Sequence, residues 1–134
     1  MQTIIDFLKN NPSGFMATVE GKQPRVRPFL FLAAEDGRFY WCTGRGKPVS
    51  DQIKANPYVE FSSSTPESVW VRIGGKVEFC SDLAVKQRLF DGCPPFVQAI
   101  YQSADNPVFE VICLEHGTAS LSDFSGQPPK LFKF

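Results

Sequence analysis

A basic turn between a predicted strand and a predicted helix carries the residues best suited to chemistry. Gly44, Arg45, Gly46 and Lys47 form this turn, and Pro48 follows them. Proline is favoured in the first turn of a helix, because the N–H that it lacks would have no partner there. A helix that begins at Pro48 leaves free backbone amides and the positive end of its dipole beside Lys47, an arrangement that binds phosphate. The sequence therefore predicts a phosphate site here, and with it a phosphate-bearing cofactor.

Two arginines on a predicted strand add further positive charge. Side chains two residues apart in a strand point the same way, so Arg25 and Arg27 share one face. Like charges on one face are usually exposed to solvent, yet two guanidinium groups also suit the geometry of a phosphate. The two arginines are therefore either exposed charges or phosphate ligands, and both interpretations stay open. Arg45 and Lys47 could likewise be solvated loop charges. Of the two arginines, Arg27 is the preferred candidate for a contact with the phosphate.

The composition is that of an ordinary globular chain in which positive and negative side chains are equal in number. Its 134 residues include 14 Lys and Arg against 14 Asp and Glu, so the whole molecule offers no net basic attraction for nucleic acid. This length predicts one domain over residues 1–134. No apolar run reaches the length of a membrane span. We therefore expect neither nucleic acid nor a membrane as a partner.

The cysteines are widely separated in the sequence. Cys42, Cys80, Cys93 and Cys113 form no CxxC pair, and His116 is the only histidine. This pattern argues against a zinc site, so no metal is predicted. Reduced thiols of this kind are typical of the cytoplasm, which is the predicted location.

Short strands separated by turns dominate the predicted secondary structure. About seven strands are predicted at hairpin spacing, whereas helices are predicted only over residues 3–10, over Pro48–Ala55 and between residues 81 and 101. Ser81 is the predicted cap of the third helix, Gly74 and Gly75 are a predicted turn, and residues 127–134 are assigned no strand. Such spacing favours an antiparallel barrel or sandwich. It argues against a Rossmann sheet, in which a helix follows nearly every strand.

Five segments occur in an order and at a spacing that point to a known family. They are Arg25-Val-Arg-Pro-Phe29, Tyr40-Trp-Cys-Thr-Gly44, the helix start at Lys47, Val71-Arg-Ile-Gly-Gly-Lys-Val77 and Ala119-Ser-Leu-Ser-Asp-Phe-Ser-Gly126. Together they resemble the FMN-binding split-barrel proteins related to pyridoxamine 5′-phosphate oxidase. The resemblance covers most of the chain. Each segment alone is weakly specific, but the ordered set is fairly specific.

The resemblance implies a mainly β chain, folded as a six-stranded antiparallel split barrel that forms a homodimer with two FMN molecules at its interface. In this arrangement Lys47 would pair with the phosphate, Thr43 would hydrogen-bond near the ring or the ribityl chain, and Trp70 would cover the ring from the partner subunit. The residues expected at the cofactor are Arg25, Arg27, Pro28, Thr43, Lys47, Gln52 and Trp70.

The function implied by this resemblance is that of an FMN-dependent oxidoreductase, which passes electrons between a donor such as NAD(P)H and a small acceptor. The Arg-x-His element with which pyridoxamine phosphate oxidase binds its substrate is not found in this sequence, so vitamin B6 oxidation is not expected. Two alternatives stay open: a flavin protein without catalysis, and a small β-barrel that binds single-stranded nucleic acid through its aromatic and basic residues. Haem or a deazaflavin in place of FMN is a related possibility.

Overall fold

The computed structural model describes residues 1–134 as a single antiparallel sheet with four short helices. The helices are α1 (Gln2–Asn10), α2 (Pro48–Ala55), α3 (Leu83–Asp91) and α4 (Pro95–Tyr101). The strands are β1 (Ser13–Glu20), β2 (Gln23–Glu35), β3 (Arg38–Gly44), β4 (Tyr58–Ser64), β5 (Trp70–Lys76), β6 (Glu78–Phe79), β7 (Phe109–Leu114), β8 (Gly117–Ser122) and β9 (Lys130–Lys133). None of the helices is long and apolar enough to cross a membrane.

The nine strands lie in the order β6-β7-β3-β2-β1-β4-β5-β8-β9. β2, with 13 residues, serves both halves of the sheet, because its first part pairs with β1 and its last part with β3. The register shifts between Phe31 and Ala33, as at a β-bulge, which bends and twists a strand. β5 approaches β7 across the sheet, so the sheet curls on itself. The predicted antiparallel split barrel is therefore confirmed, with nine strands instead of six.

The interior of the curled sheet is filled with large apolar side chains. Trp41, Phe61 and Met16 are fully buried there. Ile4 and Leu8, on one face of α1, are buried in the same cluster. Burial of a large apolar side chain contributes about 1.5–3 kcal/mol. This cluster therefore fixes the register of the barrel strands.

A second apolar cluster joins helices α3 and α4 to strands β3 and β7. Phe109 is fully buried in it, with its ring centroid 5.5 Å from that of Phe90 and 5.2 Å from that of Tyr101. Leu89 of α3 and Val97 of α4 are buried in the same cluster. These contacts fix α4, and with it the side chain of Tyr101, against the sheet.

Gly74 and Gly75 do not form the predicted turn. Both lie inside β5, paired with β4 on one side and with β8 on the other. A Cβ on Gly74 would lie 2.5 Å from the carbonyl oxygen of Val59. The glycine therefore permits a close approach of two strands, a role that sequence pattern does not distinguish from a turn.

Two other local predictions also differ from the structure. The N-cap of α3 is Asp82 and not Ser81, since the Asp82 carboxylate accepts hydrogen bonds from the amides of Ala84 at 2.9 Å and Val85 at 3.3 Å. Serine and aspartate cap helices about equally well, so residue type alone could not decide between them. The tail also contains a strand, β9, which pairs with β8 at the edge of the sheet.

Candidate functional site

Helix α2 begins and ends where the sequence predicts, at Pro48 and Ala55. Lys47 is its N-cap, with extended backbone dihedrals of φ −72° and ψ 146°. The backbone N–H groups of Gly46 and Val49 make no hydrogen bond within the chain. These donors lie at the positive end of the helix dipole, so the turn before α2 presents an electropositive surface to an anion.

A buried carboxylate holds α2 on the sheet. Glu110 of β7 is 9% exposed and accepts a short hydrogen bond from the hydroxyl of Ser50. Its second oxygen lies 3.2 Å from Nζ of Lys54, one turn further along the helix. Because Glu110 also pairs with Thr43 in the sheet register, this anchor fixes the helix start relative to the end of β3.

The guanidinium group of Arg27 is held only by neutral groups. Nη1 donates to the carbonyl of Met16 at 3.1 Å and to Oγ1 of Thr18 at 2.8 Å, and Nη2 donates to Oε1 of Gln52 at 2.6 Å. No carboxylate forms an ion pair with it. Burial and, after it, the charge of Arg25 lower the pKa of Arg27, which nevertheless stays a cation because arginine titrates far above neutral pH. Its charge is therefore available to an anionic ligand.

Arg25 is occupied by a different partner. Its Nη2 lies 3.1 Å from Oε1 of Glu20, and both side chains are about half exposed. The hydrogen bond from Arg25 is the main cause that lowers the pKa of Glu20, followed by that from Gln52. Gln52 donates to Oε2 of Glu20 at 3.0 Å while it accepts from Arg27, so it bridges the two groups. The structure thus places Gln52 as a support for Arg27.

A cavity of about 340 Å³ brings several of the predicted residues together. Four of the seven residues predicted at the cofactor line it, namely Arg27, Pro28, Thr43 and Lys47. Most of the other lining is apolar and includes Val49 together with Phe96, Val97 and Ile100 of α4. Arg25, Gln52 and Trp70 are not part of this lining. Cations beside an apolar wall suit a ligand with an anionic group and an apolar body.

Two residues that are mostly buried carry hydroxyl groups that stay free at this cavity. Thr43 is 3% exposed and Tyr101 is 5% exposed, and both side chains line the cavity. The hydroxyl of neither residue takes part in a hydrogen bond within the chain. The only fully buried side-chain polar atom without a partner is Nε1 of Trp41, so the hydroxyls of Thr43 and Tyr101 are open to the cavity. A ligand with oxygen or nitrogen acceptors would satisfy both, so these residues fit a phosphorylated, hydroxyl-bearing cofactor.

Tyr101 did not emerge from the sequence as a site residue. It lies at the end of α4, 54 residues beyond Lys47 in the numbering, and only the packing of α4 on β3 and β7 brings it to the cavity. The sequence offered a single indication, namely a tyrosine at the end of an otherwise apolar helical segment. A buried tyrosine needs a partner for its hydroxyl, but the sequence does not show where that partner lies.

Cys42 lines the same cavity as a protonated thiol. Burial, and to a lesser extent the neighbouring Cys93, raises the pKa of Cys42 to about 12, although Lys47 opposes the shift. Because the thiolate is the reactive form of cysteine, this group is inert at neutral pH. It serves as a small apolar part of the cavity wall.

Trp70 lies at the start of β5, on another part of the same chain. Its ring centroid is 4.9 Å from that of Phe124, which is 83% exposed. This aromatic pair does not line the cavity of its own protomer. A contact between Trp70 and a cofactor would therefore have to be made with a cofactor bound to another copy of the chain.

The fold and the cavity define a class: a curled antiparallel barrel with an electropositive pocket between its second strand and its second helix. A family model described as pyridoxamine 5′-phosphate oxidase matches residues 1–121. The chain belongs to the pyridoxamine 5′-phosphate oxidase family. No curated protein matches the sequence significantly.

Solved structures of similar proteins agree with this assignment. A NimC/NimA family protein from Clostridium acetobutylicum is 30% identical, with a TM-score of 0.89 over 100% of this chain and 92% of its own. An FMN-binding protein related to pyridoxamine 5′-phosphate oxidase, from Nostoc punctiforme, is 16% identical, with a TM-score of 0.78 over 97% and 86%. A heme-binding protein from Mycobacterium smegmatis is 15% identical, with a TM-score of 0.76 over 93% and 54%. The last two are similar in fold, and they differ in what they bind.

Proposed function

We propose that this protein binds FMN in the cavity, with the phosphate between Lys47, Arg27 and the amides at the start of α2. The observation that carries the proposal is that one cavity is lined by Arg27, whose charge has no carboxylate partner, and by the free hydroxyls of Thr43 and Tyr101. A phosphate dianion complements two cations, and charge-assisted hydrogen bonds to it are stronger than neutral ones. The family and the FMN-binding relative from Nostoc punctiforme support the same cofactor.

The apolar part of the cavity suits the flat ring system of a flavin. Phe96 and Ile100 of α4 face it from one side, and Pro28 and Phe29 of β2 line it as well. Bound FMN supplies electron and hydride transfer, while the protein binds and orients it and tunes its electrostatics. We therefore propose a small oxidoreductase that passes electrons between a donor such as NAD(P)H and a small acceptor.

FMN is a better fit than haem because the histidine is poorly placed to hold iron and the cavity's cysteine and tyrosine stay protonated, since burial raises the pKa of Tyr101 as well. His116, the only histidine, follows β7 and borders a separate depression together with Arg38 and Cys113. Cys42 lines the cavity, but with a pKa of about 12 it is a poor source of the thiolate that would bind iron. The proposed cofactor is therefore the flavin.

The absorbance spectrum of the purified protein tests the cofactor. We expect a flavin band at about 450 nm, which is a property of the cofactor itself, and release of FMN on denaturation, identified by its mass. If the protein is purified without cofactor, added FMN should raise its melting temperature, because a ligand that binds only the folded state stabilises it. A colourless protein that neither takes up FMN nor is stabilised by it would contradict the proposal and reopen the nucleic-acid alternative.

Anaerobic mixing with NADH or NADPH distinguishes an enzyme from a protein that only carries flavin. We expect bleaching of the flavin band with at least one of the two donors, followed by recovery when oxygen is admitted. A flavin that stays oxidised with both donors would favour the non-catalytic alternative, although the cofactor assignment would stand.

We propose that a second copy of the chain covers the mouth of the cavity. Phe96 and Ile100, which line the cavity, are 62% and 64% exposed, and Phe15, beside Gly14 in the cavity wall, is 57% exposed. Clusters of exposed large apolar side chains mark interaction surfaces. Sedimentation equilibrium should give twice the chain mass of 15.0 kDa, and Ile100→Glu should shift the protein towards the monomer. A wild-type monomer at micromolar concentration would contradict this proposal.

We also propose a cytoplasmic location. All four cysteines are unpaired, and the thiols of Cys80 and Cys113 border the same depression without being joined. Cysteines without disulfide partners are typical of a reducing compartment.

A further inference from the structure

We infer that Tyr101 is a further cofactor-binding residue, whose hydroxyl donates a hydrogen bond to the phosphate group held by Lys47. This inference rests on the proposed function, because it names one more ligand of the same site. Neither the motifs of the sequence nor the set of residues predicted from them includes Tyr101.

The position of the Tyr101 hydroxyl beside Lys47 is the first support. Gly44, the last residue of β3, has no side chain, and the space in front of it is shared by two neighbours. A Cβ built on Gly44 would lie 3.3 Å from the hydroxyl oxygen of Tyr101 and 3.3 Å from Cε of Lys47. The two side chains therefore reach the same point from different elements. A phosphate that contacts the ammonium group of Lys47 is within reach of this hydroxyl.

The hydroxyl is also held in place and lacks a partner. The Tyr101 side chain is 5% exposed, and its ring packs against Phe109 with 5.2 Å between centroids. Its backbone carbonyl accepts hydrogen bonds from Nδ2 of Asn106 at 2.7 Å and from the amide of Ser103 at 2.8 Å. Main chain and ring are thus fixed, while the hydroxyl makes no hydrogen bond within the chain. A donor that is positioned before the ligand arrives loses little entropy on binding.

The chemistry of the group matches a phosphate oxygen. Burial, followed by the neighbouring Cys42 and Glu110, raises the pKa of Tyr101, so the phenol keeps its proton at neutral pH. A protonated phenol donates one hydrogen bond. The oxygens of a phosphate dianion are acceptors, and they are satisfied by donors of this kind.

Comparison of FMN with riboflavin tests the inference, because the two flavins differ only in the phosphate. In Tyr101→Phe the ring and its packing are kept and only the hydroxyl is lost. We expect the Kd for FMN, measured by quenching of flavin fluorescence, to rise about tenfold, the effect of losing one hydrogen bond to a charged group. The Kd for riboflavin should change less than about twofold. Gly44→Ala should show the same selectivity to a smaller extent, since its methyl group would press on both the hydroxyl and Lys47 and shift them by a few tenths of an ångström.

The control is Tyr40→Phe, which removes a buried tyrosine hydroxyl on β3 that borders the separate depression near Arg38 and Cys113. It should leave the ratio of the two Kd values unchanged. An unchanged ratio in both Tyr101→Phe and Gly44→Ala would overturn the inference while FMN binding by the wild type stood. Equal losses for the two flavins would also overturn it, because the hydroxyl would then act on a part that they share. If the wild type binds no FMN, the proposed function itself fails.

Discussion

Replacing Lys47 by alanine should weaken FMN binding about tenfold to a hundredfold, because a hydrogen bond to a charged group contributes roughly 1.5–3 kcal/mol. Lys47 is the N-cap of α2 and lines the cavity, and it forms no ion pair with an acidic residue of the chain. Riboflavin, which lacks the phosphate, should lose little affinity. Titration of both flavins into wild type and variant, followed by flavin fluorescence, measures the difference.

The matched control is Arg45→Ala, two residues earlier in the same turn. This substitution removes one positive charge but no cavity-lining side chain, since Arg45 is exposed and does not line the cavity. Its effect on the Kd for FMN should be small and should vanish at high salt, as expected of an exposed charge. If Lys47→Ala weakened FMN and riboflavin alike, Lys47 would act on the flavin ring or on folding, and the phosphate site would have to be sought elsewhere.

Gly74→Ala should lower the free energy of unfolding by about 3 kcal/mol, the upper part of the usual range for an extra methyl group in a tightly packed site. A Cβ at this position would lie 2.5 Å from the carbonyl oxygen of Val59 and 3.1 Å from the Cα of Glu60. Both are backbone atoms of β4, so β4 and β5 must move apart to admit it. Thermal unfolding followed by circular dichroism should show a melting temperature lower by roughly 10 °C for a chain of this size.

Gly92→Ala is the control for the loss of glycine as such. Gly92 follows α3 with φ −85° and ψ −5°, and the nearest atom to a Cβ there is 3.6 Å away. Alanine fits this conformation without strain and restricts the unfolded chain, so the variant should be as stable as wild type or slightly more so. If the two substitutions lowered the free energy of unfolding equally, close packing of β4 against β5 would not be the reason that position 74 requires glycine.

Much of the fold could be predicted because its strands follow a simple pattern. The alternation of apolar and polar residues predicts β1, β2 and β3 to within a few residues, and the bounds of α2 are predicted correctly from Pro48 and Asn56-Pro57. The alternating pattern fails for a strand that does not bury one face and expose the other. β9 follows Pro128 and Pro129 and has four residues at the sheet edge, so pairing with β8, rather than its own sequence, makes it a strand.

The candidate site could be predicted only in part, for a related reason. Thr43 lies near the end of β3 and Lys47 follows it four residues later, so local sequence brings them together. The resemblance to the family implied that Arg27 and Gln52 both contact the cofactor. In the structure Arg27 lines the cavity, whereas Gln52 lies outside its lining and accepts a hydrogen bond from Arg27. Tyr101 comes from a helix distant in sequence, and its position depends on packing around Phe109. Such contacts between distant elements leave no local pattern.

The two ends of the nine-stranded sheet have a consequence for the behaviour of the protein at high concentration. An uncovered strand edge offers unpaired backbone groups onto which another chain can add a strand, and this is a common first step in aggregation. Here the terminal strands are very short, with two residues in β6 and four in β9. Lys130 and Lys133 occupy the two ends of β9, and like charges oppose the approach of a second edge. The edges of this sheet are thus protected against fibrillar association, while its apolar surface stays free for a specific partner.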